Sequence, residues 1–223
     1  MAKSAYHHGD LKNALIEAGI EVLAKEGVGA LSLRQVARKA GVSHAAPYAH
    51  FADKQALIAA ISIEGYRTLY DKLAGVVQQY DGDPMRQLVE IAWAYTDFAL
   101  TDTDHFKITF SGVLEKEKDY PAFVEISKKS FNLVVEIVEA CQEKDILPDG
   151  PSDLIAVSLW GMLHGLVSLV LEGQVSHTIL DRVTLRELVV YSLGLITRTK
   201  IDRKLVARSR QRPGKGRSRG FGR

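Results

Sequence analysis

The sequence predicts an all-α chain of about nine helices, a small N-terminal three-helix unit followed by a larger helical body. Three observations carry that prediction. Apolar residues recur at i, i+3 and i+4 through almost every segment, without the alternation that marks strands. Helix-starting and helix-ending residues stand at the edges of those patterns: Ser32, Ser43, Asp53 and Pro84 at starts, Gly27 and Gly41 at ends. With 223 residues, 46% of them hydrophobic, the chain can bury a sizeable core.

Taken in order, the first helix is expected from about Asp10 to Lys25, where Leu11, Leu15, Ala18, Val22 and Leu23 share a face and Gly27 ends it. Ser32 followed by Gln35 reads as a capping box opening a second helix to about Ala40, each side chain satisfying an orphan amide of the other residue. Gly41 gives the freedom for a tight turn, and Ser43 is expected to cap a third helix reaching about His50, with Pro47 at the edge of its first turn. Asp53 caps a long fourth helix to about Tyr80, and Pro84 opens a fifth to about Leu100. Residues 102–120 read as polar and irregular, with room for a short helix around Phe106–Phe110. Helices are then expected over 121–144, 152–172 and 184–198. The boundaries that follow are 1–54 for the N-terminal unit, 55–202 for the body, and a basic tail, 203–223, too polar and Gly-rich to build a core.

Charge is distributed unevenly. The tail holds nine Lys or Arg and no acid, leaving the remainder with 20 basic against 27 acidic side chains. The first 54 residues are mildly basic and carry four of the seven histidines. A polyanionic partner is therefore expected at the two ends. The polar, His-rich opening Met1–Asp10 speaks against a secretory signal, and Cys141 alone permits neither a disulfide nor a four-cysteine metal site. A cytoplasmic protein without cofactor or metal is the expectation.

Three short helices within about 45 residues, the second and third joined at Gly41, form the helix-turn-helix pattern. Such a mount pushes the start of its third helix into a DNA major groove. The longer string is more specific: Leu15-Ile-Glu-Ala-Gly-Ile-Glu-Val-Leu-Ala-Lys-Glu-Gly27, Leu31-Ser-Leu-Arg-Gln-Val-Ala37, Gly41-Val-Ser43, Tyr48-Ala-His-Phe51 and Asp53-Lys-Gln-Ala-Leu57. Over residues 10–60 it resembles the N-terminal domain of the tetracycline-repressor (TetR) family of transcriptional regulators. The resemblance implies phosphate contacts from Tyr48, His50 and Lys54 and from the helix start near Ser32, Arg34 and Gln35. It implies base contacts from the element opened by Ser43, where His44, Ala45 and Ala46 present one hydrogen-bonding side chain and two methyl groups able to meet thymine. Pro47 departs from the family's usual branched apolar residue. Lys3, His7 and His8 form either an arm on the DNA or a frayed terminus.

Farther on, Leu154–Leu171 runs eighteen residues without a charge. Its length would suit a membrane span, but Ser158, His164 and Ser168 interrupt it and no Lys or Arg stands beside it, so burial between the core and a second subunit is expected instead. Within it, Trp160-Gly-Met-Leu-His164-Gly165 resembles the Trp…His-Gly signature of one TetR C-terminal class. That resemblance implies a homodimer whose last two long helices form a four-helix seam, here through Gly161, Gly165, Ser168, Leu185, Leu188, Val189, Ser192 and Leu195. Two-fold symmetry would then set two recognition elements about 34–36 Å apart on a palindromic double-stranded operator. It further implies an apolar small-molecule effector among Trp93, Tyr95, Phe98, Phe106, Phe110, Phe131, Trp160 and His164, residues that read equally well as plain aromatic core. Its binding would shift the fourth helix and release DNA, the behaviour of a repressor.

Other classes fit less well. No Gly-rich phosphate loop or metal-ligand cluster argues for an enzyme, Cys141 reads as a buried structural thiol, and Asp102-x-Asp104-His105 reads as a loop and cap. A constitutive or sequence-blind DNA binder relying on the tail is the remaining alternative.

Overall fold

The computed structural model describes residues 8–202 and Leu205. The expectations for Lys3, His7, the His8 side chain and the cations of the tail lie outside them. Every regular element among the described residues is helical, as predicted. In order these are α1 (His8–Glu26), α2 (Leu33–Lys39), a 3-10 turn (Ala46–Ala49), α3 (Lys54–Gln79), α4 (Pro84–Thr101), α5 (Thr103–Phe110), a second 3-10 turn (Glu117–Asp119), α6 (Pro121–Glu143), α7 (Ser152–Leu171), α8 (His177–Leu180) and α9 (Leu185–Gly194).

Caps fix most boundaries. Asp53 Oδ1 accepts from the Ala56 amide at 2.8 Å to open α3, and Asp83 Oδ1 from the Arg86 amide at 3.1 Å to open α4, with Pro84 first in that helix. Gly41 ends α2 at φ 70°, bringing the Val42 amide back to the Ala37 carbonyl at 3.0 Å. Asp145 ends α6 in the same way at φ 55°, and the Ile146 amide reaches the Cys141 carbonyl at 2.8 Å.

Four expectations need correction. The third helix from Ser43 to His50 is a four-residue 3-10 turn. An α-helix there would need an amide at Pro47 to reach the Ser43 carbonyl; proline has none, and the Ala46 amide takes that carbonyl instead at 3.0 Å. The capping box at Ser32 is half formed: Ser32 Oγ accepts from the Gln35 amide at 3.2 Å, but the Gln35 side chain donates to Glu26 Oε2 at 2.7 Å. The last helix stops at Gly194 because the chain turns onto the 145–149 loop, where the Arg198 amide donates to the Ile146 carbonyl and its guanidinium pairs with Asp145 and Asp149. Residues 102–120 hold more helix than expected, Thr103–Phe110 and Glu117–Asp119.

The core falls into two clusters that share α3. Its first half packs Leu57, Ile58 and Ile61 against Leu15, Val22, Leu33, Val36 and Phe51 of the N-terminal helices. Its second half packs Leu69 and Leu73 against α4 and α6, in a cluster that α7 and α9 complete. α5 also bridges them, Ile108 facing the first cluster and Phe106 the second. The bridge is tight: a Cβ at Gly65 of α3 would fall on Thr109 Oγ1 and 3.1 Å from the His105 ring. His105 Nε2 binds the Ile61 carbonyl at 2.7 Å and its Nδ1 stands 3.3 Å from Asp102 Oδ2, so this histidine joins α5 to α3. These contacts hold α5 and α3 together where they cross.

Candidate nucleic-acid interface and ligand cavity

The N-terminal end presents a continuous strip from α2 through the 3-10 turn to the start of α3. Arg34, Ser43, His44, Ala45, Tyr48 and Lys54 are exposed on it, and Ala46 and His50 are half-buried. Tyr48 stands 55% exposed, so its ring serves no core. Pro47, Leu33, Val36 and Phe51 are buried beneath the strip. Lys54 is the first residue of α3 and Arg34 lies in the first turn of α2, so both stand beside helix N-termini, whose free amides favour anions. Ser32 Oγ and the Gln35 side chain are already committed to the protein, to the Gln35 amide and to Glu26.

At the far end an apolar cavity of about 340 Å³ lies among α3, α4, α6 and α7. Of the eight aromatic candidates, Tyr95, Phe110, Phe131 and Trp160 line it. His164 lines a neighbouring cavity instead, while Phe98 and Phe106 are fully buried core and line neither. Trp93 also lines neither; its ring faces the Arg186 guanidinium at 5.2 Å. Sequence reasoning missed the aliphatic walls, Leu69, Leu73, Leu88, Ile91 and Leu159, because a leucine lining a cavity has the same periodicity as one in a core.

A three-residue hub links Tyr95 and Trp160 of the cavity wall to His164, and Ser127, Lys128, Ser130 and Asn132 are further polar residues of that wall. Trp160 Nε1 donates to Tyr95 Oη at 3.1 Å, and Tyr95 Oη lies 2.8 Å from His164 Nδ1. Phe106 and Phe110 pack against the His164 ring at 5.6 and 5.8 Å between centroids. Burial raises the Tyr95 phenol well above its ordinary range and lowers His164 below 6.5, so both are neutral near pH 7. Cys141 is fully buried, donates to the Pro84 carbonyl, and is pushed up to about 12 by burial, which makes it an inert thiol. Among the described residues no cluster of three potential metal ligands occurs.

A third surface is apolar and open. α7 is long and apolar enough to cross a membrane, with mean hydropathy 2.1, yet only 22% of that stretch is buried. Leu154, Val157, Gly161, Gly165 and Leu169 are exposed along it, and Tyr191 and Leu195 stand 67% and 70% exposed at α9. Leu185, Leu188, Ser168 and Ser192 are half-buried at its margin. Val189 points the other way, into the core, and Leu195 lies just past the helix end.

Comparison with known proteins agrees with this geometry. Residues 15–61 match the family model for bacterial regulatory proteins of the tetR family, and residues 88–193 match the tetracyclin repressor-like C-terminal domain. An uncharacterized HTH-type transcriptional regulator of Bacillus subtilis, YobS, is 27% identical over 111 residues, half of this chain; the chain spans 57% of that relative's length. A protein of unknown function from a Rhodococcus species is 31% identical with TM-score 0.69, over 86% of this chain and 96% of that one. The TetR family regulator PfmR of Thermus thermophilus, 17% identical, shares the fold with TM-score 0.61 over 69% of this chain and 84% of its own. The chain belongs to the TetR family of helix-turn-helix transcriptional regulators.

Proposed function

We propose that this regulator is a cytoplasmic homodimeric repressor that binds a palindromic operator and is released from it by a small, largely apolar effector. The observation that carries the reading is the disposition of three surfaces along one rigid spine. The exposed strip of Arg34, His44, Tyr48 and Lys54 is at one end of α3, the apolar cavity touches its other half, and the open face of α7 and α9 lies beyond. A soluble chain rarely leaves so continuous an apolar face uncovered, and a second copy packed on Gly161 and Gly165 would cover it. His44, Ala45 and Ala46 would read bases, while Tyr48, His50, Lys54 and Arg34 hold phosphates. The reading unit is taken as 1–54 and the effector and dimer unit as 55–202.

Release follows from differential affinity. A ligand that fits the cavity better when α5 and α3 are displaced drags the N-terminal unit with them and changes the spacing of the paired reading strips. Fluorescence anisotropy of operator DNA tests this directly. A compound that raises the melting temperature of the free protein should weaken operator binding, and cavity binders that leave operator affinity unchanged would rule out effector release. Sequence-blind binding lost on removing 203–223 would favour the tail-driven alternative.

A further inference from the structure

The chain stays on the fold past the end of α9. After Gly194 it turns back: Arg198 is pinned to the 145–149 loop, and Ile201 and Leu205 pack against the core cluster of the body. The Leu205 carbonyl is then held by Arg186, whose Nη2 donates at 3.0 Å and whose Nε donates at 3.4 Å. Arg186 is itself buried and fixed by Glu90 of α4 at 2.7 Å, with the Trp93 ring facing its guanidinium. This latch sets the point from which residues 206–223 depart. The point is remote from the reading strip. Gln87 of α4 donates to the Val77 carbonyl of α3, and Val77 lies roughly 35 Å along α3 from Lys54 at about 1.5 Å per residue. Glu90 follows Gln87 by less than one turn, which leaves the latch about 30 Å from the strip. A chain spans at most about 3.6 Å per residue, so Arg208 and Arg210 cannot reach the strip from Leu205, and Arg212 could only if fully stretched.

We infer that residues 206–223 grip the phosphates of a second DNA duplex, so that a molecule seated on one duplex through its strip holds another at its far end. Six arginines and Lys215 lie among these residues with no acid, whereas residues 55–202 carry 13 basic against 22 acidic side chains. The arginine fork matches phosphate oxygens in pairs, and contacts of that kind carry no sequence preference. Val206, Ala207 and Phe221 are the segment's apolar side chains, too few and too scattered to enter a lipid surface. Three carboxylates beside the returning chain, Glu90, Asp145 and Asp149, are already paired with Arg186 and Arg198, so the body offers them no free partner there. The inference rests on the strip being a DNA contact, and adds a second contact that the strip does not supply.

The test is a bridging assay with the full chain. Plasmid DNA is fixed to beads, a short fluorescent duplex of unrelated sequence is offered in solution, and the fluorescence that the protein retains on the beads is read. The comparison is a full-length variant carrying Lys215→Gln with the six arginines of 206–223 changed likewise. It leaves Leu205 and its latch in place, so its melting temperature should match that of the unmodified chain. The unmodified chain should retain the fluorescent duplex, and the variant about tenfold less. Binding to a single duplex, followed by anisotropy, should keep its affinity within about twofold and its salt slope unchanged in the variant. Single-duplex binding reports the strip, so a failure of the strip as a DNA contact appears there, and a failure of this inference appears in the retention. Equal retention by the variant, or none by the unmodified chain, would overturn the inference. So would a loss of single-duplex affinity in the variant, which would put these cations on the strip's own DNA, or a preference of the full chain for phosphatidylglycerol vesicles over duplex that the variant lacks.

Discussion

Arg186→Ala is expected to destabilise the fold more than any surface change, by about 3–5 kcal/mol. The magnitude follows from what the substitution strands. Arg186 is 5% exposed and Glu90 13%, and the guanidinium donates to Glu90 Oε1 at 2.7 Å. The same Nη2 reaches the Leu205 carbonyl at 3.0 Å, and the guanidinium faces Trp93. The desolvation of both charges offsets most of their attraction, so the intact pair contributes little net stability. Removing the arginine alone leaves a nearly buried carboxylate without a counter-charge, and that is the source of the cost. For a chain of this size such a loss lowers the melting temperature by roughly 6–20 °C. Urea denaturation of Arg186→Ala and of the double variant Arg186→Met with Glu90→Leu decides the matter. The double variant should regain most of the lost stability, since an apolar pair of similar volume restores the packing of α9 on α4 without the stranded charge. A single variant that loses under about 1 kcal/mol, or a double variant no better than the single, would refute this reasoning.

Gly65→Ala should cost about 1–3 kcal/mol by forcing α3 from α5 where Thr109 and His105 close on the glycine, and a urea midpoint reads it. His164 imposes a pH dependence of defined sign. Its folded value lies below 6.5 because burial penalises the charged form, so below pH 6.5 the unfolded chain takes up the proton first and stability falls until the lowered folded value is passed. His164→Gln should remove that part of the decline in urea midpoints measured below pH 6.5. His44→Ala and Lys54→Ala should each weaken operator binding while shifting stability by under about 0.5 kcal/mol, since both side chains are exposed. Lys54→Ala should also reduce the salt slope by about 0.9, the share of one phosphate, which a titration across salt concentrations measures.

Much of the architecture was legible because its signals are local. Asp53, Pro84 and Gly41 act within one turn of where they stand, so the end of α2 and the starts of α3 and α4 follow from the sequence. The reading element shows the limit of that reasoning. Ser43 is a good cap and Pro47 is tolerated in a first turn, but the missing Pro47 amide falls on the one carbonyl an α-helix would need, and a 3-10 turn results. The Gln35 side chain was drawn from its capping role by Glu26, nine residues away, a competition that spacing alone does not display. The cavity was legible only as a set of aromatics. Which of them line it depends on helix rotation: Phe98 and Phe106 turn into solid core, whereas Phe110 and Trp160 face open space, and the periodicity of all four is the same. Arg186 was hidden because a charge in the first turn of a predicted helix reads as solvated surface, and its partner Glu90 lies far away in sequence.

The proposed dimer reads DNA through two symmetry-related strips. Selection of bound duplexes from a random pool by the full chain tests it most directly. A dimer should enrich an inverted repeat whose half-sites are spaced by about one DNA turn, roughly 34–36 Å, or a similar distance. Enrichment of a single unrepeated half-site, or none at all, would contradict it.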